Sequence, residues 1–338
     1  MIDTYRIRLP DSRDPIPFEN RSDRLEEARL VFLMGCPRSG TTFLLSCLAA
    51  LPRAQARSGI LIPVRLCHVV GAAPDGDERT EDLLHSFRDN LWKTFVSGIT
   101  SRAFHTRDAM RHPTLARPAF EVLAGRRRLD PSRYVLAYKE PFMAFAASRL
   151  AAHFRTARIL HLIRDGRDCA DSMDRTYGNA LSDEVLRADR TLWRQVGAEI
   201  GVARRFEDRM VPWWVAEGEE REFLRASRIE RYLWMWRESV ERAREARSVA
   251  GDRYTELRYE DLCRDPRAAG EVLTTFLGVE GSPRFDRTLR RARVSSVGIA
   301  DRRGGSDPPP ATRQLLRDLG YLGEETEGPS VDVRAAGR

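Results

Sequence analysis

Short apolar runs that end in glycine-rich or charged turns recur along this chain, and most are followed by a stretch of helical periodicity. The first is Val31-Phe32-Leu33-Met34, which leads through Gly35-Cys36-Pro37-Arg38-Ser39-Gly40 into Thr41-Thr42-Phe43-Leu44-Leu45-Ser46-Cys47-Leu48. An apolar run, Gly/Pro/Ser punctuation and a periodic apolar segment predict a strand, a tight loop and a helix. Tyr134-Val135-Leu136-Ala137-Tyr138 predicts a second strand, ending in Lys139-Glu140-Pro141-Phe142 ahead of a helix from Ala144 to Phe154. A third, Arg158-Ile159-Leu160-His161-Leu162-Ile163, ends in Arg164-Asp165-Gly166-Arg167-Asp168. Residues 253–259 predict a further strand before a helix from Pro266 to Leu277, and residues 59–64 a return segment after the first helix. Strands alternating with helices predict an α/β fold, a three-layer sandwich with a central, mainly parallel sheet flanked by helices. Ligands on such sheets sit at the carboxyl ends of strands, where the charged turns fall.

Between these units the pattern is helical. Residues 78–128 show helical periodicity broken at Gly98, Pro113 and Pro118, a helical insertion that either walls a substrate pocket or packs against the core. Residues 178–247 form a second, mainly helical insertion, and tryptophans run from Trp193 through Trp213 and Trp214 to Trp234 and Trp236, with core packing as their default role. The organisation predicted is an N-terminal arm over residues 1–29, one domain over 30–322 and a disordered tail over 323–338. Residues 294–305 carry three glycines and two adjacent arginines, which reads either as a loop closing on a ligand or as a basic linker.

Composition narrows the function classes. The chain is 42% hydrophobic and 32% charged, as in water-soluble globular proteins, and no apolar run approaches the roughly 20 residues of a membrane span. Residues 1–10 have no apolar core of a secretory signal, so a cytoplasmic location is expected. The net charge of +7 is spread among 50 acidic residues rather than gathered into a stripe, which argues against nucleic acid. Five cysteines with no C-x-x-C pair predict reduced, mostly buried thiols, and six histidines without ligand spacing predict no metal. Of the 57 basic residues only Lys93 and Lys139 are lysines, so a lysine retained at a strand end is informative: ammonium and guanidinium differ in reach and donor geometry.

The first loop carries the clearest chemistry. Backbone N–H groups, a helix N-terminus and Arg38 aimed at one point suit an anion. The spacing Gly35-x-x-x-x-Gly40 is P-loop-like, but Thr41 stands where a nucleoside-triphosphate site has its lysine.

Two loops in this order resemble those of sulfotransferases that use 3′-phosphoadenosine 5′-phosphosulfate (PAPS). Pro37-Arg38-Ser39-Gly40-Thr41-Thr42-Phe43 is similar to that family's 5′-phosphosulfate loop. Ile163-Arg164-Asp165-Gly166-Arg167-Asp168 through Ser172-Met173 is similar to its 3′-phosphate element, in which an arginine and a serine eight residues later both hold the phosphate, as Arg164 and Ser172 are spaced. Arg258-Tyr259-Glu260-Asp261-Leu262 matches more loosely. The wording of the loops is closest to tyrosylprotein sulfotransferases and their bacterial relatives, and residues from about 30 to 280 fit.

The resemblance implies sulfuryl transfer from PAPS to a hydroxyl of a small-molecule acceptor (phenol, metabolite, lipid or glycoside) by in-line displacement, with 3′-phosphoadenosine 5′-phosphate (PAP) as product and no metal. It places Arg38 and Lys139 at the leaving phosphate and the sulfuryl group, Ser39, Gly40, Thr41 and Thr42 around the 5′-phosphate, and Arg164 and Ser172 on the 3′-phosphate. Phe43, and more weakly Tyr259, fall near the adenine. The acid that tyrosylprotein members carry shortly after the first helix is missing from Ala56-Arg57-Ser58-Gly59-Ile60-Leu61, which argues against a tyrosylprotein substrate. Glu140 is the first candidate for the acceptor's base and His68 the second. Two other readings stay open: a P-loop kinase or NTPase, opposed by Thr41 and by the lack of a Walker B segment, and a nucleotide-binding pseudoenzyme. Acceptor identity and oligomeric state are not legible.

Overall fold

The computed structural model describes residues 22–58, 64–74, 76–92, 94–95, 131–178, 180–187, 203–303 and 307–322. Five strands, β1 (Arg29–Met34), β2 (Ala54–Ser58), β3 (Val135–Lys139), β4 (Arg158–Ile163) and β7 (Tyr254–Arg258), form one parallel sheet in the order β2-β3-β1-β4-β7. Both faces are covered, which is why β1, β3 and β4 read as continuous apolar runs rather than as alternating ones. Val31 and Leu33 pack with Leu44, Leu45 and Leu48 of α1 (Thr41–Leu48) and with Leu273 and Leu277 of the helix Pro266–Leu277. Phe32 and Met34, on the opposite face, pack with Tyr138, Phe154 and the long Trp-bearing helix Arg228–Ala250. The result is the expected three-layer α/β sandwich built on a strand, a P-loop-like turn and a helix.

The remaining helices follow in chain order: α2 (Val64–Ala72), α3 (Glu78–Trp92), α4 (Ala147–His153), α5 (Gly166–Tyr177), α6 (Asp183–Arg187), α7 (Glu220–Arg225), α8 (Arg228–Ala250), α9 (Tyr259–Arg264), α10 (Pro266–Leu277), α11 (Pro283–Leu289), α12 (Ile299–Arg302) and α13 (Pro310–Asp318). Local chemistry sets the key starts. Asp165 caps α5 by accepting from the Arg167 N–H, Ser227 and Glu230 form a reciprocal capping box on α8, and Asp265 with Pro266 opens α10 at the expected boundary.

Three expectations change. The return strand is Ala54–Ser58, earlier than residues 59–64; of that segment only the backbone at residue 64 is among the described residues, and it lies in α2. The stretch 178–247 is not helical throughout: β5 (Ala203–Phe206) and β6 (Arg209–Pro212) form an antiparallel hairpin, whose charged strands hide the alternation that marks a hairpin. The helix expected from Ala144 begins as a 3-10 helix, Pro141–Ala146, and becomes α-helical at Ala147. Of the arm expected over residues 1–29, residues 22–27 form a 3-10 helix and Arg29 already belongs to β1, while residues 1–21, the insertion beyond residue 95, Lys93, Trp193 and the tail from residue 323 lie outside the described residues. The five cysteines are free and buried.

Candidate active site

β1 delivers the chain into the first loop, where two backbone positions are special. Gly40 has φ 99°, and a Cβ there would stand 2.6 Å from the Tyr259 ring, so only glycine fits. Arg38 itself has φ 72°, a left-handed conformation that is unusual for a side-chain-bearing residue and is characteristic of functional turns. The turn closes with the Ser39 N–H donating to the Cys36 carbonyl at 3.1 Å, and the Leu44 N–H to the Gly40 carbonyl at 3.0 Å. N–H groups in the first turn of α1 have no partner within the helix, and they face the loop. Ser39 is 1% exposed and its Oγ has no hydrogen-bond partner among the described residues.

β3 and β4 lie on either side of β1, so their carboxyl ends flank this loop. From β3, the Lys139 Nζ donates to Thr42 Oγ1 at 3.2 Å, which brings the retained lysine onto the first turn of α1. From β4, Arg164 is 6% exposed and its Nη1 donates to the Arg38 carbonyl at 3.1 Å; it also bonds Asp168 and the Ser296 carbonyl, while its Nε is buried without a partner. Burial opposes the Arg164 charge, but Cys169, Asp168 and Tyr259 around it more than offset this and raise its pKa. Arg38 reaches from the first loop to the second: its Nε donates to Ser172 Oγ, on α5, at 3.1 Å. The sequence-predicted residues Arg38, Ser39, Gly40, Thr41, Thr42, Lys139, Arg164 and Ser172 are thus gathered at three adjacent strand ends.

Other expected residues are placed differently. Phe43 is half-buried and packs against the α1-side core. Tyr259 is 4% exposed; its ring touches Gly40 and lies under the Arg164 guanidinium at 5.1 Å, so it is packed between the two loops. Glu140, half-buried, has its carboxyl pushed up to about 7 by burial, countered by Lys139 and by the nearby Phe142 N–H. His68, on α2, lies with its ring 4.7 Å from Trp213 and its pKa lowered by burial and by Arg204. No hydrogen bond joins it to Glu140 or Lys139 among the described residues.

Three supporting residues have no role assigned from the sequence. Trp236 Nε1 donates to the Arg164 carbonyl at 3.0 Å and its ring leaves no room for a Cβ at Gly166. Glu260 accepts from the Asp165 N–H at 3.0 Å and from the Tyr321 hydroxyl at 3.0 Å. Asp168, fully buried, accepts from the Gly298 N–H at 2.8 Å and the Ala300 N–H at 2.9 Å, which fixes the C-terminal glycine-bearing segment beside Arg164. Only the family-like Glu260 in Arg258-Tyr259-Glu260-Asp261-Leu262 carried any local signal; the other two contacts depend on which helix packs where.

A model of the sulfotransferase family matches residues 31–221, more than half of the chain. This chain belongs to the sulfotransferase family and is a sulfotransferase enzyme. Among solved structures it is similar to the sulfotransferase domain from the Synechococcus PCC 7002 olefin synthase, at 18% identity over 87% of this chain and 95% of that one with a TM-score of 0.47. It is also similar to the sulfotransferase domain from the curacin biosynthetic pathway, at 15% identity over 87% and 98% with a TM-score of 0.48, and to sulfotransferase STF9 from Mycobacterium avium, at 16% identity over 91% and 81% with a TM-score of 0.41. No curated protein sequence matches it.

Proposed function

We propose that this sulfotransferase takes its sulfuryl group from PAPS and passes it to the hydroxyl of a small-molecule acceptor by in-line displacement. The observation that carries the reading is the Arg38 to Ser172 hydrogen bond of 3.1 Å, which joins an anion-binding loop on β1 to a second one on β4. Each loop also holds a buried polar atom without a partner, Ser39 Oγ in one and Arg164 Nε in the other, as expected of a site for two separate phosphate groups on one nucleotide.

In this reading the N–H groups of the first turn of α1, with Thr41 and Thr42, hold the 5′-phosphate, and Arg164 and Ser172 hold the 3′-phosphate. When bound, PAPS supplies the sulfuryl group to be transferred. Arg38 and Lys139 neutralise charge at the leaving phosphate oxygen, a task that preorganised donors in a water-poor site perform well. Glu140 takes the acceptor proton, and its raised pKa places it between protonated and ionised near neutrality. Thr41 in place of a P-loop lysine disfavours a nucleoside triphosphate. Thermal unfolding tests this: PAP should raise the melting temperature more than ATP with magnesium does, and equal or greater stabilisation by ATP overturns the assignment.

A further inference from the structure

The edge strand β2 carries a charged residue that the site described so far does not use. Arg57 is 3% exposed, yet no carboxylate pairs with it among the described residues. Its Nη1 donates to the Ala56 carbonyl at 3.1 Å and its Nη2 to Gln55 Oε1 at a long 3.3 Å, while Nε is buried with no partner. The guanidinium lies 6.0 Å from the Phe95 ring. Burial alone pushes its pKa down to about 10. An arginine does not give up its proton at neutral pH, so Arg57 is a desolvated cation without a paired anion among the described residues.

The sheet register shows where that cation faces. Ala56 packs with Val135 and Ala137 in the α1-side core, so by strand alternation Arg57 points to the other face, with Leu136 and Tyr138. Arg57 pairs with Tyr138, and Glu140 is the next same-face position on β3's extension, with extended backbone angles of φ −145° and ψ 123°. Burial, and after it the Glu140 charge, raises the pKa of Cys67, a member of that same core layer. Arg57 and Glu140 therefore share one face of adjacent strands, at the carboxyl end of the sheet, without forming an ion pair with each other.

We propose that Arg57 anchors a carboxylate carried by the acceptor, so that the preferred acceptors are hydroxy acids whose hydroxyl lies at Glu140. The proposal rests on the sulfuryl-transfer reading for the identity of that hydroxyl. The free Nε and the weakly held Nη2 form one edge of the guanidinium fork, the edge that takes a carboxylate side-on. A single monoanion balances the single cation.

The test uses the full chain saturated with PAP and calorimetric titration with salicylate, 4-hydroxybenzoate and 4-hydroxyphenylacetate, each against its methyl ester. At least one acid should bind at least about tenfold more tightly than its ester, the lower end of what a charged hydrogen-bonded pair contributes. Arg57→Met should abolish that preference, leave PAP affinity unchanged and not lower the melting temperature of the ligand-free protein, since it removes an unpaired buried charge. Arg57→Gln, which keeps a donor for the Ala56 carbonyl, should behave likewise toward the acids. If no acid outbinds its ester in the wild type, or the preference survives in the folded variants, the proposal is wrong. PAP binding is read first and separately: its failure overturns the donor assignment, while the acid and ester comparison still decides whether Arg57 recruits a carboxylate.

Discussion

Glu140 joins chemistry to stability at a single residue. Its carboxyl rises from an ordinary 4.5 to about 7, so between those values the native state holds a proton that the unfolded chain has released. Stability contributed at this site is therefore lost as pH rises through that window. Activity should run the other way, because the base works only when ionised: kcat/KM should climb with pH and level off above about 7. Glu140→Gln should remove this limb, lower kcat by about 10² to 10⁴-fold and raise the denaturation midpoint at pH 8. An unchanged pH profile in the variant would assign the proton transfer elsewhere. Lys139→Ala, which deletes the ammonium bonded to Thr42, should cost about 10² to 10³-fold in kcat with the thermal transition still cooperative. Full activity in that variant would remove Lys139 from the reacting centre. Lys139 and Glu140 were legible because a strand of five apolar residues ended on them. Arg57 was not, since a lone arginine among Ala54-Gln55-Ala56 looks like surface until the covering layer is known.

Among elements, α5 and the segment Val294–Arg302 illustrate how support differs from contact. Asp168 is the link: it holds the N–H groups of Gly298 and Ala300 and faces Arg164 at 3.4 Å. Asp168→Ala leaves a buried arginine without its carboxylate and two N–H groups without an acceptor, a change expected to destabilise by about 3–5 kcal/mol. PAP affinity should fall with it, because Arg164 loses the group that orients it. Urea titration with and without PAP checks both effects. Wild-type stability with wild-type PAP affinity would mean that the segment is held by its other contacts, such as Arg167 to Asp301 at 2.6 Å. At this scale β1, β3 and β4 were legible because an apolar run ending in a charged turn is a strong strand signature, and the mixed strand β7 because Tyr254, Thr255 and Leu257 precede a helix start. The edge strand β2 and the hairpin were not: Gln55 and Arg57 on an inward face, and Arg204, Arg205 and Arg209 along the hairpin, break the pattern that alternation relies on. The strand order also had no local signal, since it is set by which faces the crossover helices cover.

Across the whole molecule, one buried network ties the sheet to its longest helix and sets how the fold meets acid. His161 of β4 is fully buried and its Nδ1 is 2.9 Å from the Tyr254 hydroxyl, which in turn donates to Glu256 at 2.8 Å; both partners are on β7. From α8, Arg244 grips Glu256 at 2.8 and 2.9 Å and Arg247 reaches it at 3.1 Å, while Asp318 of α13 acts on Arg244. Burial lowers the His161 pKa despite the Glu256 charge; burial opposes the Glu256 charge, but hydrogen bonds from His161, Arg244 and Tyr254 outweigh it and hold that carboxyl well below its usual range. Both depressed values mean that the unfolded chain binds protons first. The network's contribution to stability should therefore fall in two stages as pH drops, from about 6.5 for histidine and again from about 4.5 for the glutamate. Glu256 and Arg244 also line a cavity of about 490 Å³ along the open edge of β7, so protons reach the network without opening the sheet. Glu140, Asp165, Glu238, Glu241 and Glu260, whose carboxyls burial pushes up, pull the other way, so the measurement is a comparison of each network variant with its parent in a Glu140→Gln background. There, His161→Leu should flatten the profile between pH 7 and 5, and Glu256→Gln should flatten it below pH 5 while lowering stability at pH 7. If both variants keep the parent's slope in these windows, the network is not the acid-sensitive joint between β4, β7 and α8.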